Sequence, residues 1–267
     1  MRAAWHQSAF VPLMALLTAS AWLTLWLWTA SPYGRYLDHG GWLEAGLAGA
    51  VCRALPAGEV VLPGALYVGG WLLMTAAMML PTTLPLLEIF RRMTAARADR
   101  TRLLALVTLG YLGAWSGFGL VAHLADRGIH ALALHSAWLT FNGWLIGAAA
   151  LALAGTFQFS ALKYRCLEQC HTPLAFVARH WRGESASREA LLLGAHHGLY
   201  CVGCCWALML LMFVVGMGSV GWMLLLAAVM AVEKNLPWGR RLSAPLGLAL
   251  LAWSGWIVVA GGLLASG

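Results

Sequence analysis

Residues 190–216 read ALLLGAHHGLYCVGCCWALMLLMFVVG, a run without one Asp, Glu, Lys or Arg. As a helix rising about 1.5 Å per residue, such a run spans about 40 Å, more than the roughly 30 Å hydrocarbon core of a bilayer. The reading is a membrane-crossing helix, and the rest of the chain agrees with it. Of the 267 residues, 61% are apolar and only 10% charged, whereas soluble domains carry about 25% charged residues. Seven apolar segments stand out, at about 8–30, 66–89, 103–125, 138–161, 190–216, 219–235 and 245–265. The expectation is an all-α, polytopic helix bundle forming a single transmembrane domain over residues 1–267, with the lipid bilayer as its first partner.

The net charge of +7 follows the spans. With a cytoplasmic N-terminus, the inner segments carry Arg2; Arg91, Arg92, Arg97, Arg100 and Arg102; Lys163, Arg165, Arg179, Arg182 and Arg188; and Lys234, Arg240 and Arg241. The outer segments carry only Arg35, Arg53 and Arg127. This asymmetry is a positive-inside signal and calls for no nucleic-acid partner. The first segment follows Arg2 but is longer than a signal-peptide core and lacks a small-x-small site, so it reads as a retained helix. The stretch from about 31 to 65 could lie on the outer surface as an amphipathic helix or run as a plain loop.

Several function classes drop out. No G-x-x-x-x-G-K-[ST] phosphate cradle occurs, which argues against an ATP-driven pump within this chain. Only two lysines occur, Lys163 and Lys234, both at segment ends, which leaves no mid-membrane Schiff-base candidate. No internal repeat supports an inverted-repeat transporter. Gly113-x-x-x-Gly117, Gly143-x-x-x-Gly147 and Gly194-x-x-x-Gly198 allow close helix packing.

Chemistry concentrates in the fifth segment, at His196-His197-Gly198-Leu199-Tyr200-Cys201-Val202-Gly203-Cys204-Cys205-Trp206. At about 100° per residue from His197, Cys201 falls near 40°, Cys204 near −20° and Cys205 near 80°, so four donors share one helix face. In the second segment Met74 and Met78 lie one turn apart at matching depth, beside a kink expected at Pro81. Cysteine, methionine and histidine together select Cu(I), while zinc suits a set of cysteines with one histidine. Three thiolates on one Cu(I) would leave net charge in hydrocarbon, so one or two thiolates completed by neutral His197 or a methionine form the better site. Packing and redox thiols are the competing readings of the same residues.

At the inner rim, Lys163-Tyr164-Arg165-Cys166-Leu167-Glu168-Gln169-Cys170-His171 sets two cysteines one turn apart with His171 adjacent, a candidate transfer point for metal. Basic neighbours there would favour thiolate. Glu233 and Lys234 end the sixth segment at the same surface. Snorkelling explains both charges, and a buried Glu233 closing a pathway or accepting a proton is the alternative.

These elements resemble a family of bacterial integral membrane proteins described as predicted metal-binding and otherwise of unknown function. The resemblance rests on Met74 with Ala77-Met78-Met79-x-Pro81, Lys163-x-x-Cys166-Leu167-x-x-Cys170, His197-Gly198-x-Tyr200-Cys201-x-Gly203-Cys204-Cys205-Trp206 and Glu233-Lys234-x-x-Pro237-x-Gly239. His171 departs from it, standing where arginine is more usual. The resemblance implies metal binding and a multi-pass fold in the bacterial inner membrane. The leading expectation is a mid-membrane Cu(I) site serving copper transfer or cuproenzyme assembly, with a copper-requiring enzyme or a metallochaperone as partner. Hetero- or homo-oligomers are both compatible with it. A membrane oxidoreductase, or its subunit, acting on a lipid-soluble substrate remains the alternative, and a structural subunit with inert cysteines the third.

Overall fold

The computed structural model describes residues 10–31, 61–136, 138, 142–215 and 219–266. Residues 32–60 of the expected outer segment, with Arg35, Cys52 and Arg53, lie outside the described residues, as does Arg2. The described residues contain no strand. Ten helices follow one another: α1 (Phe10–Thr29), α2 (Val61–Met78), α3 (Leu84–Met93), α4 (Arg100–His135), α5 (Trp144–Phe157), α6 (Ala161–His171), α7 (Pro173–His180), α8 (Ala186–Val215), α9 (Val220–Asn235) and α10 (Ser243–Ser266). The all-α expectation holds.

By length and composition, the described residues give four to six candidate spans beside the seven expected segments. Among the described residues four helical stretches are long and apolar enough to cross a membrane: Pro12–Thr29, Arg100–Ile129, Ala186–Val215 and Gly239–Leu263. Two bent pairs raise the number to six, Val68–Met78 with Pro81–Met93 at 46° and Trp144–Phe157 with Ala161–His171 at 62°. The first bend has a covalent cause, since Pro81 has no N–H to continue the ladder. The turn before it widens, Leu80 N–H reaching back to the Thr75 carbonyl at 3.3 Å. The second bend falls at Ser160, whose backbone is extended and whose side chain accepts from the Lys163 N–H to start α6 afresh. The sixth expected segment forms α9, whose 16 residues span only about 24 Å.

Burial ranks the helices. Of the apolar window of α8, 61% is buried, against 11% for α1. α8 is therefore the central post, with α4 along one side and α6 and α9 on the sulfur side. Two of its glycines explain how closely α4 approaches. A Cβ at Gly194 would strike the backbone of Val107, and one at Gly198 would press on Ala114 and Tyr111. Gly110 of α4 sits equally tightly against Leu191. Gly113 and Gly117, by contrast, have open space beside them, so only one of these two motifs mediates a close crossing.

Large apolar side chains cover the outside, among them Leu16, Val121, Leu248 and Trp256, the last 71% exposed. Such a continuous apolar exterior is costly in water and costs nothing against lipid. Inside, one core surrounds the cysteines of α8. A smaller one joins Leu86, Leu87 and Phe90 of α3 to Phe176 and Val177 of α7.

Candidate metal centre

The helical-wheel expectation for α8 is met at three cysteines and one histidine. Cys201, Cys204, Cys205 and His197 are all buried, at 1%, 1%, 2% and 4% exposure. The Cys204 and Cys205 thiols donate to the Cys201 carbonyl, at 3.1 and 2.9 Å, a back-bonding habit of small polar side chains on helices. Cys201 Sγ is turned outward from α8. It lies 2.9 Å from the Tyr111 hydroxyl of α4 and 2.6 Å from Lys234 Nζ of α9.

A methionine completes the group, and it is Met79. Its Sδ lies 3.9 Å from Cys205 Sγ and 3.7 Å from Lys234 Nζ. Met74 and Met78 are buried in the same core, but the sulfur brought to these two partners comes one residue later. Met79 is one residue on from Met78 and so about 100° further round the helix, its own N–H still bonded to the Thr75 carbonyl at 2.8 Å. The Met79 carbonyl also accepts from Tyr111, at 3.2 Å, so one residue braces two walls of the site.

The rim cysteines divide. Cys170 is half-buried and its side chain interacts with that of Cys204. Cys166 is buried, and its sulfur packs where Gly203 has no side chain. His171 Nε2 meets the Glu233 carbonyl at 2.7 Å, so the rim is tied to the end of α9.

Glu233 and Lys234 do not snorkel; both point into the core, at 2% and 4% exposure. Lys163, placed by sequence at a segment end, is fully buried as well. Its Nζ lies 2.7 and 2.8 Å from the two Glu233 carboxylate oxygens, and it also donates to the Gln158 side chain. Ser243 Oγ donates to the same carboxylate at 2.7 Å. The bend between α5 and α6 explains how Lys163 turns inward, because it redirects the chain just before that residue.

The two adjacent histidines separate. His197 Nδ1 is buried without a hydrogen-bond partner, its ring lying between Tyr111 and Phe176. A small cavity lined by Leu80, Thr83, Val107, Tyr111 and His197, among others, lies at its side. His196, about 100° further round, is exposed and faces His180, with ring centroids 5.3 Å apart.

Among the described residues no three His, Cys, Asp or Glu side chains enclose a common point that would hold an ion. The geometry says why. Two thiols are turned to a carbonyl, and an ammonium covers the open side of Cys201. The donor chemistry is nonetheless soft, with thiols and a thioether gathered where no carboxylate reaches them, a set that suits Cu(I) better than any hard cation. Spacing alone missed Tyr111, Gln158 and Ser243, since each enters from another part of the chain, and it named Lys163 at the rim without its turn into the interior. Met79 was legible as a third sulfur in the second segment.

A family model for PpoB2, described as a copper chaperone, matches residues 68–257. The chain belongs to this family, and the match supports copper handling. No curated protein and no solved structure matches the chain.

Proposed function

We propose that this member of the PpoB2 copper chaperone family is an integral membrane protein that holds Cu(I) on Cys201 with Cys204 or Cys205, and passes it to a copper-requiring enzyme. The observation that carries the reading is the convergence of Cys201, Cys204, Cys205 and Met79 from α8 and the broken second helix in a buried, apolar setting. Hydrocarbon packing alone gives no reason to collect sulfur donors and an ammonium at one point, whereas Cu(I) binding does.

Cys170 supplies an exchange step. It is partly exposed and adjoins Cys204, so Cu(I) can move from rim to interior by swapping one sulfur for another without being released. In the orientation set by the basic residues, this rim faces the bacterial cytoplasm, where thiols stay reduced. Met74 and Met78, buried beside Met79, line the same core as reserve thioethers, and His197 offers an unpartnered nitrogen on the cavity side. Zinc is the weaker candidate because thioethers serve it poorly. An oxidoreductase would need a substrate path to sulfur; the cavity beside Tyr111 has none of the cysteines in its wall.

Copper and zinc content of the purified full chain, beside a Cys201→Ser, Cys204→Ser double variant, tests the reading. Near-stoichiometric copper in the native chain and a loss of tenfold or more in the variant is the expected result. Equal copper in both overturns it.

A further inference from the structure

Lys234 is a buried charge with no carboxylate among its described partners. Its ammonium is buried, and its neighbours are the sulfurs of Cys201 at 2.6 Å and Met79 at 3.7 Å. The carboxylate next to it in sequence, Glu233, is turned away and already matched by Lys163 and Ser243. Lys163, Glu233 and Lys234 together leave one positive charge in the core. A buried cation without an anion is costly, so the pocket is built for a partner carrying one net negative charge.

Resting on the copper reading above, we infer that Lys234 is the fixed counter-charge of a two-thiolate Cu(I) site and so sets how many cysteines bind each ion. Cu(I) held by two thiolates carries one negative charge, which Lys234 cancels. One thiolate would leave a net positive charge and three a net negative one, each penalised where water is excluded. A divalent ion such as zinc would need all three cysteines to reach neutrality. The geometry agrees with the smaller number: Cu(I) is satisfied by two sulfurs in a nearly linear arrangement, and no three-donor cage is present among the described residues. Lys234 is thus a positioning residue rather than a ligand, since its ammonium has no lone pair to give.

The test uses the full chain in detergent, loaded with Cu(I) against a competing chelator and measured by X-ray absorption. The native chain is expected to show two short copper–sulfur bonds. Lys234→Met should weaken Cu(I) retention tenfold or more while helix content is kept, and Lys234→Arg should restore most of it. Of the single variants Cys204→Ser and Cys205→Ser, at least one should retain copper within threefold of the native chain. Three short copper–sulfur bonds, loss of copper in both single variants, or unchanged retention in Lys234→Met would each overturn the inference while leaving copper binding intact. A native chain that takes up no Cu(I) would overturn the copper reading itself, and this inference with it.

Discussion

Two lysines lie buried on neighbouring helices, α6 and α9, and their surroundings could hardly differ more. Lys163 is clasped by a carboxylate, an amide and, through that carboxylate, a serine. Lys234 meets sulfur. A carboxylate buried against its lysine has no better partner to exchange for, so the first pair closes the structure around the bend at Ser160 and the turn at Gly239–Leu242. A cysteine sulfur has an alternative partner in a soft metal, so the second pair can open. The contrast separates what holds the fold from what the fold holds.

Removing one member of the permanent pair should have the largest effect. Lys163→Met strands a buried carboxylate and should cost about 3–5 kcal/mol, seen as a lowered thermal midpoint in detergent. Adding Glu233→Gln should return much of that, and a double variant no more stable than the single would break the distinction drawn here. Lys234→Met should cost nothing in the copper-free chain or even stabilise it, because it removes a buried cation without a carboxylate and leaves behind a thiol that packs as a small apolar group.

Next in size is Gly194→Ala. The new methyl strikes the Val107 backbone and should cost about 1–3 kcal/mol by overpacking. Because α4 also carries Tyr111 to Cys201, copper retention should fall with stability; stability lost with copper unaltered would unlink the two. Ser243→Ala removes one hydrogen bond to a charged group, worth about 1.5 kcal/mol. Its effect should appear in the thermal midpoint and leave copper content alone, which sharpens the division between the two lysines. The smallest change is His196→Ala, expected within about 0.5 kcal/mol and with copper unchanged, since its ring faces His180 on the outside. Copper loss in that variant would place the metal on the wrong face of α8.

Much of this was legible in the residues. The face shared by His197, Cys201, Cys204 and Cys205 follows from helical rotation alone, and all four are buried where rotation puts them. The charge-free run of 190–216 became the most buried of the candidate spans. Sequence did not show what other helices bring to the site. Met79 rather than Met78 is the sulfur set beside Cys205 and Lys234, and Lys163, just past the bend at Ser160, lies in the interior rather than at the edge. The segment 219–235 forms a helix where hydropathy puts one, and its end reaches Lys163 and His171. His196, though adjacent to His197, points about 100° away from it and faces His180 on the outside.

That same angular rule gives the last turn of α9 a particular character. Glu233 and Lys234 share one peptide unit, and while one side chain enters the salt-bridged knot, the other enters the sulfur pocket. The Glu233 carbonyl is in turn bonded to His171 beside Cys170. Any movement of Lys234 would therefore be felt, a single residue away, at the rim beside Cys170: the threshold and the chamber are joined through one peptide unit.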